Sequence, residues 1–207
     1  MKQVIFLTVL LSTTLQTFSK EKISIENVDS TEFKNVETKY DFFSIVDTTT
    51  HGIKITKSGT IILPLRNSNN KKIISQFTSS EDFIKKIYKY IGFIKSIDCY
   101  LLSLETFESE YKILVKRNDG KIYRSKRFIV PSYNKIVVSY DMPENDRYTG
   151  VTLINVTKNS FDIVGEVKEK SWFPLSIVLN ANNEIFIKAQ SFDTNDVRYL
   201  KATIIGD

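Results

Sequence analysis

The sequence predicts a mainly β fold, antiparallel strands with one packed helix near residues 79–91, and three observations carry that expectation. Beyond Gly92 almost every segment alternates apolar and polar residues with a period of two, the spacing that sets one side of a strand on a core and the other toward water. Turn-forming groups such as Asn118-Asp119-Gly120 and Asn180-Ala181-Asn182-Asn183 punctuate those segments. Only one stretch repeats its apolar residues every three or four positions. The chain has 207 residues, 42% of them hydrophobic and 26% charged, which suffices for a sizeable core and excludes the low hydrophobicity of a disordered polymer. Seven Gly and four Pro leave no basis for a collagen-like or linker-dominated architecture.

At the start, Met1-Lys2-Gln3 precedes an apolar run over residues 4–11 and a Ser/Thr-rich stretch ending at Ser19, the layout of a secretory signal peptide over 1–19. The run is shorter than the roughly 20 apolar residues of a transmembrane helix. The expected location is therefore secreted or periplasmic, with no transmembrane segment in the mature chain. Residues 20–40 are polar and read as an extended lead-in, and 41–207 as a single β-rich domain, because no linker or composition break divides them. Strand text covers 40–46, the alternation around Ile53 and Ile55, and residues 60–65.

The helical stretch follows. Thr78-Ser79-Ser80-Glu81 fits a capping box, Phe83, Ile84, Ile87, Tyr88 and Ile91 share one face, and Gly92 supplies a stop. Asp82, Lys85, Lys86 and Lys89 take the solvent side, as on a helix lying over a sheet.

The best-defined hairpin joins residues 111–117 to 121–126. A three-residue Asn118-Asp119-Gly120 loop would pair Arg117 with Lys121. That register sets Lys112, Lys116, Arg124 and Lys126 on one face, with Ile113, Val115, Tyr123 and Ser125 on the other. Further strands are expected over 135–140, 150–156, 160–164, 175–178, 184–188 and 199–204.

Comparable inner-strand texts begin near Thr60, Tyr111, Gly150 and Val197, separated by roughly 40 to 50 residues, the spacing of propeller blades. Antiparallel propeller-like blades in a small or incomplete propeller are thus expected, with a two-sheet sandwich as the alternative. Residues 128–141 also resemble the opening of a TolB/WD40-like blade: a strand, a Ser-Pro-Asp-Gly-type turn and an apolar strand ending in Ser-x-Asp, here Ser139-Tyr140-Asp141. Pro131-Ser132 reverses the usual order and Asn134 stands where Gly is usual. The stretch 90–204 is similar to uncharacterised exported bacterial β-rich proteins, in which a later strand opens with a Trp–Pro pair, here Trp172-Phe173-Pro174. The resemblance implies the blade architecture and brings no catalytic residues.

Several chemistries are excluded. The only His is His51, and with one His and one Cys there is no His-based zinc site. No Gly-x-Ser-x-Gly elbow accompanies His51, and no phosphate-cradling glycine motif is present, so neither nucleotide nor other cofactor is expected. Cys99 has no disulfide partner and lies in apolar strand text, the setting of a buried, inert thiol. Carboxylate chemistry needs only two acids. Candidates are Glu105, Glu108 and Glu110, the loop 141–146, and Asp193 with Asp196; neither loop matches the twelve-residue calcium pattern, and solvated loops are the simpler reading.

The net charge of +5, one unit less once Lys2 is removed, favours loose attraction to anionic polymers over committed nucleic-acid binding. Its densest expression is the basic hairpin: Lys112, Lys116, Arg124 and Lys126, with Arg117, Lys121, Arg127, Tyr111 and Tyr123 nearby. Basic groups beside aromatics suit anionic chains. Lysines also keep a sheet edge from pairing with other chains, which is the favoured reading. Trp172, Phe173 and Tyr148 are candidates for stacking on sugars, although a Trp near a Pro at a strand start is more often core. The functional expectation is an exported, non-catalytic binding module that contacts an envelope protein or an anionic glycan. The alternatives are a two-carboxylate glycan hydrolase and an inhibitor or immunity protein for a secreted enzyme.

Overall fold

A computed structural model describes residues 22–37, 46–49, 51–66, 70–78, 85–130, 136–140, 149–169, 171–180 and 184–205. The described chain opens with β1 (Lys22–Asn27) and α1 (Ser30–Glu37), then runs through the short strands β2 (Val46–Asp47), β3 (Lys54–Ile55), β4 (Ile61–Pro64), β5 (Lys71–Ile74) and β6 (Phe77–Thr78). Longer strands follow: β7 (Lys85–Ile94), β8 (Cys99–Glu105), β9 (Glu110–Lys116) and β10 (Ile122–Ser125), then β11 (Arg127–Ile129), β12 (Ile136–Tyr140), β13 (Thr149–Val156) and β14 (Phe161–Glu169). The last group is β15 (Trp172–Leu179), β16 (Ile185–Ser191) and β17 (Val197–Ile205).

Four antiparallel sheets result, with the orders β3-β4-β5, β10-β9-β8-β7-β2 (β6 also pairing with β7), β11-β12-β13-β14, and β1-β17-β16-β15. Their side chains interleave as successive layers. Ile61, Leu63 and Ile74 of the three-stranded sheet meet Tyr100, Leu102, Ile113 and Val115 of the second sheet. The opposite side of that sheet, with Ile94, Cys99, Leu101 and Leu114, packs on Phe128, Val137 and Ile154 of the third. Val138, Val151 and Leu153 on the third sheet's far side meet Ile177, Ile185, Ile187 and Leu200 of the fourth. This two-sided burial explains why the text of β8 is apolar but for Ser103 and why its residues 99–104 are all buried. Each fully buried Leu in these layers, such as Leu153, stabilises the stack enough that truncation to Ala costs about 2–5 kcal/mol.

Several expectations change. Residues 85–91, expected in the helix, belong to strand β7, and residues 79–84 lie outside the described segments. The cause is a bulge between Tyr90 and Gly92 in the pairing with β8. One extra residue shifts the phase of a period-two pattern, so Tyr88, Tyr90 and Phe93 reach one core while Ile91 and Ile94 reach another. Gly92 is a close-approach residue and not a helix stop: a Cβ there would lie 2.8 Å from the Asp47 carbonyl oxygen and collide with Val46.

The lead-in is also structured. β1 pairs along β17 from Lys22↔Ile205 to Asn27↔Leu200, completing the fourth sheet. Asp29 then caps α1, accepting from Thr31 N (2.7 Å) and Glu32 N (2.8 Å), and Phe33 buries against Val178 and Phe186 on the fourth sheet. The architecture comprises four sheets where the sandwich alternative has two, and among the described residues they form no closed barrel. No described helix is long and apolar enough to cross a membrane.

Candidate functional site

The basic hairpin folds one residue out of its expected register. Ile122 pairs with Val115 and Tyr123 with Leu114, while Lys116 N donates to Lys121 O at 2.9 Å, so the loop comprises the four residues 117–120. Gly120, at φ +72°, takes the left-handed position in which a side chain would be strained. Because side chains alternate across a strand, the slip separates the four expected partners. Lys112 and Lys116 go to the side that faces the third sheet, and Arg124 to the other, 4.7 Å from the Tyr111 ring; Lys126, past the end of β10, lies 6.0 Å from that ring.

Lys116 is thereby drawn inside, with only 2% of its surface exposed. Its ammonium donates to the Ser160 carbonyl at 3.1 Å and to the Thr157 carbonyl, both in the β13–β14 turn, and sits 5.5 Å from the Phe161 ring. Desolvation lowers its pKa, against the pull of Asp119 and Cys99.

The surrounding turns are tied to one another. Arg66 N donates to Arg117 O (2.8 Å), Arg117 N to Asp98 O (3.0 Å), Asn118 Nδ2 to Lys158 O (3.2 Å) and Lys121 Nζ to Asn159 O (2.6 Å). Asp98 ends the 3-10 turn Lys95–Ile97 in the left-handed region, at φ 52°, and its carboxylate reaches Arg66 at 3.4 Å and Arg117 at 4.0 Å. Turns from the first three sheets thus close around a cavity of about 240 Å³, whose polar lining includes Arg66, Ser96, Asp98, Lys116, Asn118 and Lys158. Among the described residues of the lining, three cations face one carboxylate. Ser96 Oγ and Arg117 Nε are buried with no hydrogen-bond partner. Of these two, Ser96 lines the cavity, and with Arg66, Lys116 and Lys158 it offers donors that suit an acceptor-rich anion.

Lys112 and Lys126 reach a different cavity, of about 360 Å³, together with Arg127 and a mostly apolar wall. Arg124 lines neither cavity. Trp172 is buried among the residues of the inter-sheet core, at 6% exposure, so it packs and offers no face to a sugar. Tyr148 lies outside the described residues.

The acids do not converge on either cavity. Glu105 and Glu110 stand opposite each other at the β8–β9 hairpin and pair with Lys89 (3.4 Å) and Lys112 (2.6 Å). Glu108, Asp193 and Asp196 are exposed, and residues 141–146 lie outside the described segments. Among the described residues no group of three or more His, Cys, Asp or Glu could hold a metal ion. His51 touches Asp47 Oδ2 (3.1 Å) and Thr49 Oγ1 (2.8 Å) through the same nitrogen, Nε2. A relay needs both ring nitrogens, one for each partner, so this is not a triad arrangement. Hydrogen bonding from Thr49, followed by Lys95 and His51, holds the Asp47 carboxyl well below the usual range. Burial pushes the Cys99 thiol up to about 12, as expected for an inert Cys.

Sequence reasoning missed Arg66, Ser96, Asp98, Asn118 and Lys158 as site residues. Each is in a turn or beside one, and their only common signal is the order in which the sheets stack. Comparison with protein-family models, with curated proteins and with solved structures finds no match for the chain.

Proposed function

We propose that this protein is an exported, non-catalytic binding module of propeller-like stacked sheets that takes an anionic glycan at its hairpin-end cavity. The observation that carries the reading is the cation surplus of Arg66, Lys116 and Lys158 over Asp98 on turns that are hydrogen-bonded to one another. Turns fixed before binding lose little freedom when a ligand arrives, so modest contacts yield useful affinity. The Arg66 guanidinium and the Asn118 amide can donate to a uronate, sulfate or phosphate oxygen, and Lys116 retains one of its three N–H donors beyond the two given to carbonyls. The leader-like layout of residues 1–19 supports export, and the recurrence of four-stranded sheets supports the blade reading.

Retention of the purified mature protein on polygalacturonate and dextran sulfate, with neutral dextran as control, tests this. Binding to both anionic polymers should weaken with salt and disappear in the Arg66→Glu/Lys158→Glu variant. Equal retention on neutral dextran, or unchanged retention of the variant, would overturn the proposal. Release of new reducing ends from the polymer would establish the hydrolase reading instead.

A further inference from the structure

The stack of sheets is finished differently at its two ends. On the fourth sheet, Phe33 of α1 covers Val178 and Phe186. The outer side of the three-stranded sheet belongs to no core cluster among the described residues. Pairing lays two rows across that side. Lys54, Ile62 and Ile73 stand abreast, and Pro64 stands beside Lys71, whereas Ile61, Leu63 and Ile74 turn inward. Ile73 is 62% exposed, and Ile55, the last residue of the edge strand β3, is 61% exposed. Thr56 fixes the turn that follows, its carbonyl accepting from Gly59 N at 2.9 Å and its hydroxyl from Thr60 N at 3.0 Å, and that turn carries Lys57.

Charge is concentrated on the same sheet. Residues 52–76 supply all three strands and contain five Lys and Arg, with neither an acid nor an aromatic residue. Of the chain's 29 Lys and Arg, the 24 elsewhere equal its 24 Asp and Glu, so this one segment accounts for the whole net charge of +5. Arg66 turns to Asp98, while Lys54, Lys57 and Lys71 are exposed. Lysines and bare isoleucines together select the partner. Protein interfaces are built around aromatic residues and Arg and are depleted in Lys. A second copy of the chain would set these lysines against their own kind. A dissolved anionic polymer would answer the lysines and leave the isoleucines in water. An anionic bilayer answers both: its headgroups take the ammonium groups, and the isoleucines enter the boundary with the acyl chains beside the lysine stems.

We infer that the outer side of the three-stranded sheet docks on the surface of a bilayer containing anionic lipids, through Ile55 and Ile73 together with Lys54, Lys57 and Lys71. None of these five residues lines the hairpin-end cavity, so the inference does not depend on the glycan reading.

Co-sedimentation of the mature protein with phosphatidylglycerol/phosphatidylcholine vesicles, against pure phosphatidylcholine vesicles, tests the inference; residues 1–19 are left out because their apolar run would itself bind lipid. Binding to the anionic vesicles should be about tenfold tighter or more and should weaken with salt. Lys54→Glu/Lys71→Glu should weaken it by about tenfold or more, since each lysine near an anionic surface contributes about fivefold. Ile55→Ser/Ile73→Ser should weaken it about fivefold with the charge unchanged, and both side chains are exposed, so the fold is kept. Lys188→Glu/Arg198→Glu, on the fourth sheet, makes the same change in net charge and should leave binding within about twofold. Equal binding to neutral vesicles, or an equal loss from the two charge reversals, would overturn the inference. So would a charge-dependent affinity indifferent to the isoleucines, the behaviour of a face for a dissolved anionic polymer or an acidic protein. A dimer that the isoleucine variant dissociates, without vesicle binding, would overturn it in favour of a second copy.

Discussion

Lys112 and Lys116 stand four residues apart on the same strand and the same face, yet they sit in opposite environments. Lys116 is buried, two of its three donors given to the carbonyls of a neighbouring turn, at the rim of the hairpin-end cavity. Lys112 is partly exposed, pairs with Glu110 and borders an apolar cavity. The difference shows that charge counted along a sequence does not define a binding face. What each ammonium can do depends on the acceptors the next sheet brings to it.

The largest effect should come from removing the inner lysine. Lys116→Met leaves two inward carbonyls without their donor and should cost about 2–3 kcal/mol in denaturant unfolding, given what hydrogen bonds to charged groups contribute. A loss below about 0.5 kcal/mol would mean that Lys116 works from the surface.

The thiol beneath it supplies the next contrast. Cys99 pairs across the strand with Lys116. Its pKa rises from 9.0 to about 12 on folding, and that of Tyr90 from 10.0 to about 12, both chiefly through burial. The unfolded chain therefore releases these protons first, and stability falls as pH climbs from 9 toward 12. Lys116 has the opposite sign: its lowered folded pKa makes stability rise as pH approaches 10.5. Unfolding free energy measured from pH 8 to 11 should decline in the wild type. Cys99→Ala should remove up to about 1.4 kcal/mol per pH unit of that slope.

Lys112→Met, by contrast, removes one solvent-screened ion pair and should cost less than about 1 kcal/mol. A cost matching that of Lys116→Met would erase the distinction between the two lysines. The smallest effect belongs to Arg124→Ala, which gives up an exposed cation–π contact with Tyr111 worth about 0.5 kcal/mol and should leave polygalacturonate retention unchanged.

Two capping-box texts show how much of the fold could be read in advance. Thr78-Ser79-Ser80-Glu81 precedes residues that spread over two sheet faces through a bulge, whereas Asp29-Ser30-Thr31-Glu32 starts a genuine helix. Both obey the same local rule. The second succeeds because Phe33 finds a hydrophobic seat on the fourth sheet, and the first is outweighed by the Ile, Tyr and Phe residues that suit β7. Period-two text over 111–116, 150–156 and 185–188 was legible because alternation is a property of the strand itself. The hairpin loop was not. Asn118-Asp119-Gly120 accommodates three residues or four, and the tie between Lys116 and the Thr157 and Ser160 carbonyls is a contact across 41 and 44 residues of chain. The same distance hid the candidate site, since Arg66, Asp98, Asn118 and Lys158 meet only after three sheets have stacked.

Salt-gradient retention on polygalacturonate tests the central claim most directly, with two double charge reversals compared side by side. Arg66→Glu/Lys158→Glu should elute with the neutral-dextran control, and Arg124→Glu/Lys126→Glu should elute close to the wild type. The reverse order would return the binding face to the outer strand of the hairpin and contradict the register-based account.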